Sequence, residues 1–197
     1  MRTGILILAA GNSSRLGKPK QLVAYRGTSL LQQTVAMALT MKCGPVVVVE
    51  GAYSFDLPAQ TGLTTVRNME WEKGMGSSIK TGLSVLAADP SIDQVLILLS
   101  DQPLVPIAHL KALLAKKTHT ANPMIATFYK NACGVPALFD RACFPDLQGL
   151  EDGQGAKMLF QAKPDAIDWV PLEAARIDID TPEDVQALTD SNWKHFD

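Results

Sequence analysis

Hydrophobic positions along this chain fall into two alternating kinds of segment. Residues 4–9, 46–49 and 95–99 are short, nearly unbroken apolar runs, of the length expected for strands buried on both faces. Between them, apolar residues recur three and four positions apart. Residues 29–41 place Leu30, Leu31, Val35, Ala38 and Leu39 at helical spacing. Ser29 with Gln32 reads as a capping box at the start of that helix, and Gly44-Pro45 closes it. Residues 77–88, ended by Asp89-Pro90, and residues 106–117 read as further helices, and residues 64–67 as a short strand. Farther on, Thr181 reads as an N-cap, with Pro182 as first helical residue and Asp184 at the third position. Residues 124–139 give a weaker pattern: two short extended pieces joined at Lys130-Asn131, a hairpin or an edge excursion.

Strand–helix alternation predicts an α/β fold, a three-layer α/β/α Rossmann-like architecture with a mostly parallel sheet and helices on both faces. In such sheets ligands gather beyond the carboxyl ends of the strands. The 197 residues fit a single domain over 1–197, without internal repeat or linker. A formal charge of −2 argues against a general nucleic-acid or anionic-membrane binder. No signal-peptide pattern and no apolar run of membrane-spanning length is present, and Cys43, Cys133 and Cys143 show no CxxC spacing. The expectation is a cytoplasmic protein with reduced thiols, without nucleic-acid or membrane partners. Short helices with a solvated polar face suggest a monomer. His109 and His119, on or beside a predicted surface helix, and His195 near the C-terminus read as solvated rather than catalytic.

The candidate chemistry starts at residues 8–22, LAAGNSSRLGKPKQL, a glycine-rich basic loop directly after the first apolar run. Gly11 and Gly17 permit backbone geometries and close ligand approach. Ser13, Ser14 and loop amides can donate to phosphate oxygens. Arg15, Lys18 and Lys20 bring three positive charges within six residues. Other phosphate loops are excluded by spacing. Five residues separate Gly11 from Gly17 and Pro19 follows Lys18, which is no P-loop; neither a GxGxxG fingerprint nor a GxSxG elbow occurs. Asp101 follows the apolar run 95–99 and, beside a polyphosphate loop, is placed to hold Mg²⁺. Asp178 and Asp180 stand before the Thr181 cap, which leaves both unexplained as helix-start residues.

The loop resembles the LAAGxSxRMGxxK signature of the nucleotidyltransferases that activate sugars, isoprenoid precursors and pterins, and is most similar to the group of molybdenum cofactor cytidylyltransferases. The resemblance returns at residues 68–79, 99–104, 134–139 and 178–185, in the family's order. It implies Lys20, Arg15 and Asp101 as catalytic residues, with Asp101 and Asp180 on the metal. It carries Leu8, Ala9, Ala10, Gly11, Ser13, Ser14, Gly74, Met75 and Ser78 to the nucleotide pocket. Ser77 or Ser78 either caps its helix or bonds the ligand. Residues 134–139 and 152–157 fall on the acceptor side, where Val135 replaces a frequent histidine and the first two residues of a G-D-x-G-A-R/K segment are exchanged.

The reaction so implied is transfer of CMP from CTP to a molybdopterin-type molybdenum cofactor, with Mg²⁺ and release of pyrophosphate. A molybdoenzyme or its maturation chaperone would receive the product. Ala10 bears on the base, because the guanylyl-transferring branch has glycine there and a methyl narrows the pocket toward a pyrimidine. Use of GTP, another phosphorylated acceptor such as a sugar or isoprenoid phosphate, and a non-catalytic nucleotide-binding or cofactor-chaperone role are the alternatives.

Overall fold

The computed structural model describes residues 1–190; His195 lies outside the described residues. In chain order the elements are β1 (Thr3–Leu8), a small hairpin of β2 (Ala24–Tyr25) and β3 (Thr28–Ser29), α1 (Leu30–Met41), β4 (Val46–Glu50), β5 (Leu63–Arg67) and α2 (Met75–Ala87). There follow β6 (Gln94–Leu99), α3 (Ile107–Lys117), β7 (Met124–Tyr129), β8 (Ala132–Asp140), α4 (Phe144–Gln148), α5 (Lys157–Ala162), β9 (Ile167–Pro171) and α6 (Pro182–Thr189). One seven-stranded sheet has the order β5-β4-β1-β6-β8-β7-β9. Only β8 runs against the others, pairing antiparallel with both β6 and β7.

Alternation along the central strands sorts the core into two layers. Leu6, Leu8, Val47 and Val49 face Ile79, Leu83 and Leu86 of α2, Leu147 of α4 and Phe160 of α5. Ile5, Ile7, Val46 and Val48 face Leu31 and Val35 of α1 and Leu110 and Leu113 of α3. Because every residue of β1 and β4 is buried, these strands carry no polar face, which is why they appear in the sequence as continuous apolar runs. A third cluster, Leu16, Val23, Leu30, Ile179 and Leu188, fastens the first loop to α6. No helix among the described residues is long and apolar enough to cross a membrane.

The predicted capping boxes form. Ser29 and Gln32 exchange bonds at the start of α1, and Thr181 and Asp184 do so at α6 with Pro182 first in the helix. Of the two readings of residues 124–139 the hairpin holds: Lys130 and Asn131 make the turn at φ of 48° and 56°, and its strands lie within the sheet, with β9 outside them, rather than at an edge. Two expectations are corrected. Helix α2 starts at Met75, with Gly74 as its cap, so Ser77 and Ser78 are first-turn residues rather than caps. His109 is not solvated: it is 6% exposed, its Nε2 lies 2.8 Å from Thr127 Oγ1, and burial lowers its pKa to about 4. Thr127 Oγ1 gives its hydrogen to Pro136 O at 2.5 Å, so the neutral imidazole carries its proton on Nε2 and donates to Thr127.

Candidate active site at the carboxyl rim of the sheet

Leu8 of β1 is in register with Val49 of β4 and Leu99 of β6, so the segments after these parallel strands emerge side by side. Backbone bonds interlock them: Ala9 N donates to Val49 O at 2.9 Å, Ala52 N to Ala10 O at 3.1 Å, and Ser100 N to Leu8 O at 3.3 Å. Across the rim, Ile179 N donates to Asp101 O at 3.0 Å, joining residues 178–180 to the end of β6.

Gln21, absent from the sequence expectations, shapes the first loop from within. It is 1% exposed, and its Nε2 donates to Ala9 O at 2.8 Å and Gly11 O at 3.1 Å. Ser13, in the left-handed region at φ 53°, accepts the Lys20 amide on its hydroxyl at 3.0 Å, while its carbonyl accepts from Leu16 and Gly17. The turning residues are thus Ser13 and Gly17 (φ 72°). Gly11 lies outside the positive-φ region, and a Cβ there would meet nothing within 4 Å. Ser14 N bonds Asn12 Oδ1 at 3.3 Å.

This folding brings together charges far apart in the chain. Lys20 Nζ bridges Asp101 Oδ2 and, at 2.8 Å, Asp180 Oδ1; Arg15 Nη2 holds Asp180 Oδ2 at 2.7 Å. Burial acts to lower the Lys20 pKa, but Asp101 and Asp180 outweigh it and raise the value, so Lys20 is cationic at neutral pH. For Asp180, desolvation pulls upward and Lys20 with Arg15 overcomes it, lowering the pKa. Asp178 has the reverse balance: desolvation in the cleft and then the Asp101 charge push its pKa up to about 6. Asp101 Oδ1 is buried without a hydrogen-bond partner. Lys18 makes no ion pair among the described residues.

Two hollows meet at Gly11 and Lys20. One of about 220 Å³ is walled by Ala9 and Ala10 of the first loop, Trp71, Met75 and Ser78, with Asp101 at its edge. Leu8 and Gly74 also line it. The other, about 170 Å³, lies between residues 11–15 and Asp180. Gly74, at φ 98°, turns the chain into α2, and a Cβ on it would come 3.0 Å from Gly153 Cα. Asn68, 3% exposed, donates from Nδ2 to Ser77 Oγ at 2.8 Å and Ser78 Oγ at 3.0 Å and accepts from Glu70 N, which locks this wall. Gly51 allows Trp71 and Ala10 to close the pocket, since a Cβ there would lie 2.6 Å from Trp71 Cβ and 2.7 Å from Ala10 Cβ. The Ala10 methyl therefore points along this wall toward Gly51.

A third hollow, about 360 Å³, shares Met75 and Leu99 with the first and is bounded by Tyr129, Val135, Ala156 and Lys157. Both segments expected on the acceptor side, 134–139 and 152–157, contribute to it. A separate hollow of about 380 Å³ between α1 and residues 102–107 contains none of the charged cluster.

Known proteins share this frame. The chain is 31% identical over 200 residues to a protein named nicotine blue oxidoreductase from Paenarthrobacter nicotinovorans, covering 94% of this chain and 95% of that one. It is 31% identical over 204 residues to the purine catabolism protein PucB of Bacillus subtilis, covering 93% and 96%. It is 25% identical over 187 residues to the molybdenum cofactor cytidylyltransferase of Escherichia coli, covering 91% of each. Among solved structures, Rv0371c from Mycobacterium tuberculosis superposes with a TM-score of 0.78 at 26% identity, over 97% of this chain and all of that one. A further structure of Rv0371c is a complex with manganese, with a TM-score of 0.70 at 22% identity, over 97% of this chain and 99% of that one. The model of the MobA-like NTP transferase domain matches residues 5–167, a span that runs from β1 through the basic loop and Asp101 and holds the lining of the first and third rim hollows, while Asp180 of the second lies beyond it; the chain belongs to this family of nucleotidyltransferases.

Proposed function

We propose that this nucleotidyltransferase moves CMP from CTP onto the phosphate of a molybdopterin-type molybdenum cofactor in the cytoplasm. The observation that carries the reading is the Lys20 bridge between Asp101 and Asp180 at the junction of the two hollows, with Asp101 Oδ1 left unpartnered. A buried carboxylate oxygen that can only accept, and has no donor, suits a hard cation. Among the described residues, no group of three or more His, Cys, Asp or Glu side chains could hold a metal. Mg²⁺ fits such a site because it commonly takes one or two carboxylates and completes its shell with phosphate oxygens and water. Asp101 and Asp180 would hold it, and when bound the ion neutralises charge on the phosphates. The manganese complex of the mycobacterial neighbour supports a divalent ion here.

The rest follows from the chain's own residues. The acceptor phosphate is ionised near neutral pH, so one of its oxygens attacks the α-phosphorus without a strong general base. A phosphorus–oxygen bond forms, the bond to the bridging oxygen breaks, and pyrophosphate departs with the electron pair. Lys20 and Arg15 stabilise the charge that develops on the departing group. Both are held by carboxylates beforehand, so the triphosphate draws their cationic ends toward itself from positions already set. Ala9, Ala10, Gly11, Met75 and Ser78 surround the base and ribose, and Ser13 and Ser14 shape the loop around the phosphates.

The cytidylyltransferase of Escherichia coli supports the CMP and molybdopterin assignment. A second acceptor reading has its own support: the two relatives at 31% identity carry names from other chemistry, and Val135 gives the acceptor hollow an apolar wall. The deciding experiment incubates the protein with Mg²⁺, molybdenum-loaded molybdopterin and each triphosphate in turn, reading pyrophosphate and product mass together. A cytidine dinucleotide formed from CTP is the expected result. Product from GTP alone would overturn the base assignment, and product only with sugar or isoprenoid phosphates would overturn the acceptor.

A further inference from the structure

Lys20 stands where two ligands of the proposed reaction have to arrive. Its backbone is pinned: the amide donates to Ser13 Oγ at 3.0 Å, the carbonyl accepts from Val23 N at 3.0 Å, and the next residue, Gln21, is buried. The side chain reaches farther. Its Nζ sits between Asp101 Oδ2 and Asp180 Oδ1, and the residue lines both the hollow beside Ala10 and Trp71 and the one between residues 11–15 and Asp180. Lysine carries its charge on a flexible four-carbon stem, so the ammonium group can pass from one hollow to the other while the loop stays in place.

The oxygens it holds are the ones a divalent ion needs. Lys20 and Arg15 together occupy three of the four oxygens of Asp101 and Asp180, and the fourth, Asp101 Oδ1, is buried without a partner. Asp178 adds a third acid to the cleft and acts on Lys20 through space, but it pairs with neither cation among the described residues. Two carboxylates therefore already have two cationic partners. A divalent ion on the same oxygens meets the Lys20 ammonium a few ångströms away, a like-charge contact that is costly in a partly buried site. A triphosphate changes this balance. Its oxygens attract Lys20 and Arg15, and the two carboxylates regain the negative charge that a hard cation requires.

We propose that Lys20 is a tethered counter-ion that holds the metal's place on Asp101 and Asp180 and leaves it for the triphosphate, so that metal and nucleotide strengthen each other's binding. This inference rests on the reading of Asp101 and Asp180 as the metal carboxylates. By linkage the coupling is reciprocal: whatever factor the nucleotide adds to metal affinity, the metal adds to nucleotide affinity. The same movement delivers the lysine to the phosphates only when a triphosphate is there to receive it.

Titration of Mn²⁺ into the protein without nucleotide, with the free ion read by electron paramagnetic resonance, tests the proposal. Lys20→Met and Lys20→Gln should bind Mn²⁺ at least about tenfold more tightly than wild type, a modest part of the repulsion between a monovalent and a divalent cation a few ångströms apart. Lys20→Gln leaves a neutral donor on the carboxylates, and urea unfolding shows that each variant compared is folded. Lys20→Arg keeps the charge and should stay close to wild type. Addition of α,β-methylene CTP, which cannot be cleaved at that bridge, should strengthen Mn²⁺ binding more in wild type than in Lys20→Gln. Equal Mn²⁺ affinity in wild type, Lys20→Met and Lys20→Gln overturns the inference. So does equal strengthening by the analogue, or a gain in Lys20→Arg as large as in Lys20→Gln. Asp101→Asn reads the parent assignment separately: combined with Lys20→Gln it should erase the gain, and a gain that survives places the metal elsewhere and removes the metal reading. If Asp101→Asn alone weakens Mn²⁺ binding while the Lys20 variants leave it unmoved, the metal site stands and the counter-ion role falls.

Discussion

Replacing Gln21 tests whether the first loop is shaped from within. Gln21→Leu keeps the volume of a side chain that is 1% exposed and removes the donor shared by Ala9 O and Gly11 O. Each neutral bond contributes a net ~1 kcal/mol, and each carbonyl left without a donor adds a penalty that water reduces near the open hollow; together they amount to about 2–4 kcal/mol. That is a large share of the ~5–15 kcal/mol that holds a domain folded. Urea unfolding should therefore show a lower midpoint at an unchanged slope. The released loop must then be ordered by the triphosphate, and a cost of about 1.4 kcal/mol for doing so raises the nucleotide KM about tenfold. The acceptor KM should move less, because Gln21 lines the hollow proposed for the nucleotide and not the one proposed for the acceptor. Gln21→Glu sharpens the test, since it keeps the shape but points an acceptor at two acceptors and should be worse than leucine on both readouts. An unfolding midpoint and a nucleotide KM both at wild-type values in Gln21→Leu would refute the reasoning.

Asp101→Asn should leave the unfolding midpoint near wild type and lower metal-dependent turnover by at least about a hundredfold, the scale of losing one charge-stabilising group; steady-state pyrophosphate release checks it, and an unaffected rate removes Asp101 from the mechanism. Lys20→Ala should depress kcat more than nucleotide affinity, and equal losses in a binding titration and a rate assay would reduce Lys20 to a binding residue. Ala10→Gly should shift the CTP/GTP ratio of kcat/KM toward GTP by about tenfold, the value of one methylene-sized contact, whereas an unmoved ratio places base choice elsewhere. The His109 proton is linked to folding: burial lowers its pKa to about 4 in the folded chain from an ordinary 6.5, so the folded state binds fewer protons. Its contribution is complete above the unfolded value and is lost as pH falls from 6.5 through 4, up to about 3 kcal/mol. Denaturation midpoints of His109→Leu between pH 7 and 4 should fall less steeply than those of wild type.

The sequence made some parts of the architecture legible through purely local rules. Strands β1, β4 and β6 were readable because a strand covered on both faces must be apolar throughout. The caps of α1 and α6 were readable because both partners of a capping box lie three residues apart. Strand β9 was not, because residues 167–171 carry an edge strand with no buried residue and no clean alternation. His109 misled for a related reason: helical spacing shows that a residue shares a face with Leu110 and Leu113, but not that a threonine on β7 awaits its proton. The small glycine–serine segment 74–78 left the helix start ambiguous until the φ of Gly74 fixed it.

The candidate site divides in the same way. The sequence by itself determined the central strands β1, β4 and β6 with the helices between them, the basic loop after β1, and the presence of carboxylates at Asp101 and Asp180, because these depend on residue type and near neighbours. Only the tertiary structure decided that Lys20 lies between Asp101 and Asp180, which are 81 and 160 residues away in the chain, that Gln21 faces inward, and that residues 134–135 and 155–157 meet at one hollow beside Met75 and Leu99. The physical reason is that these relations arise from parallel register and from packing between layers. Both bring distant segments to one rim, and neither leaves a mark in any short window of the chain.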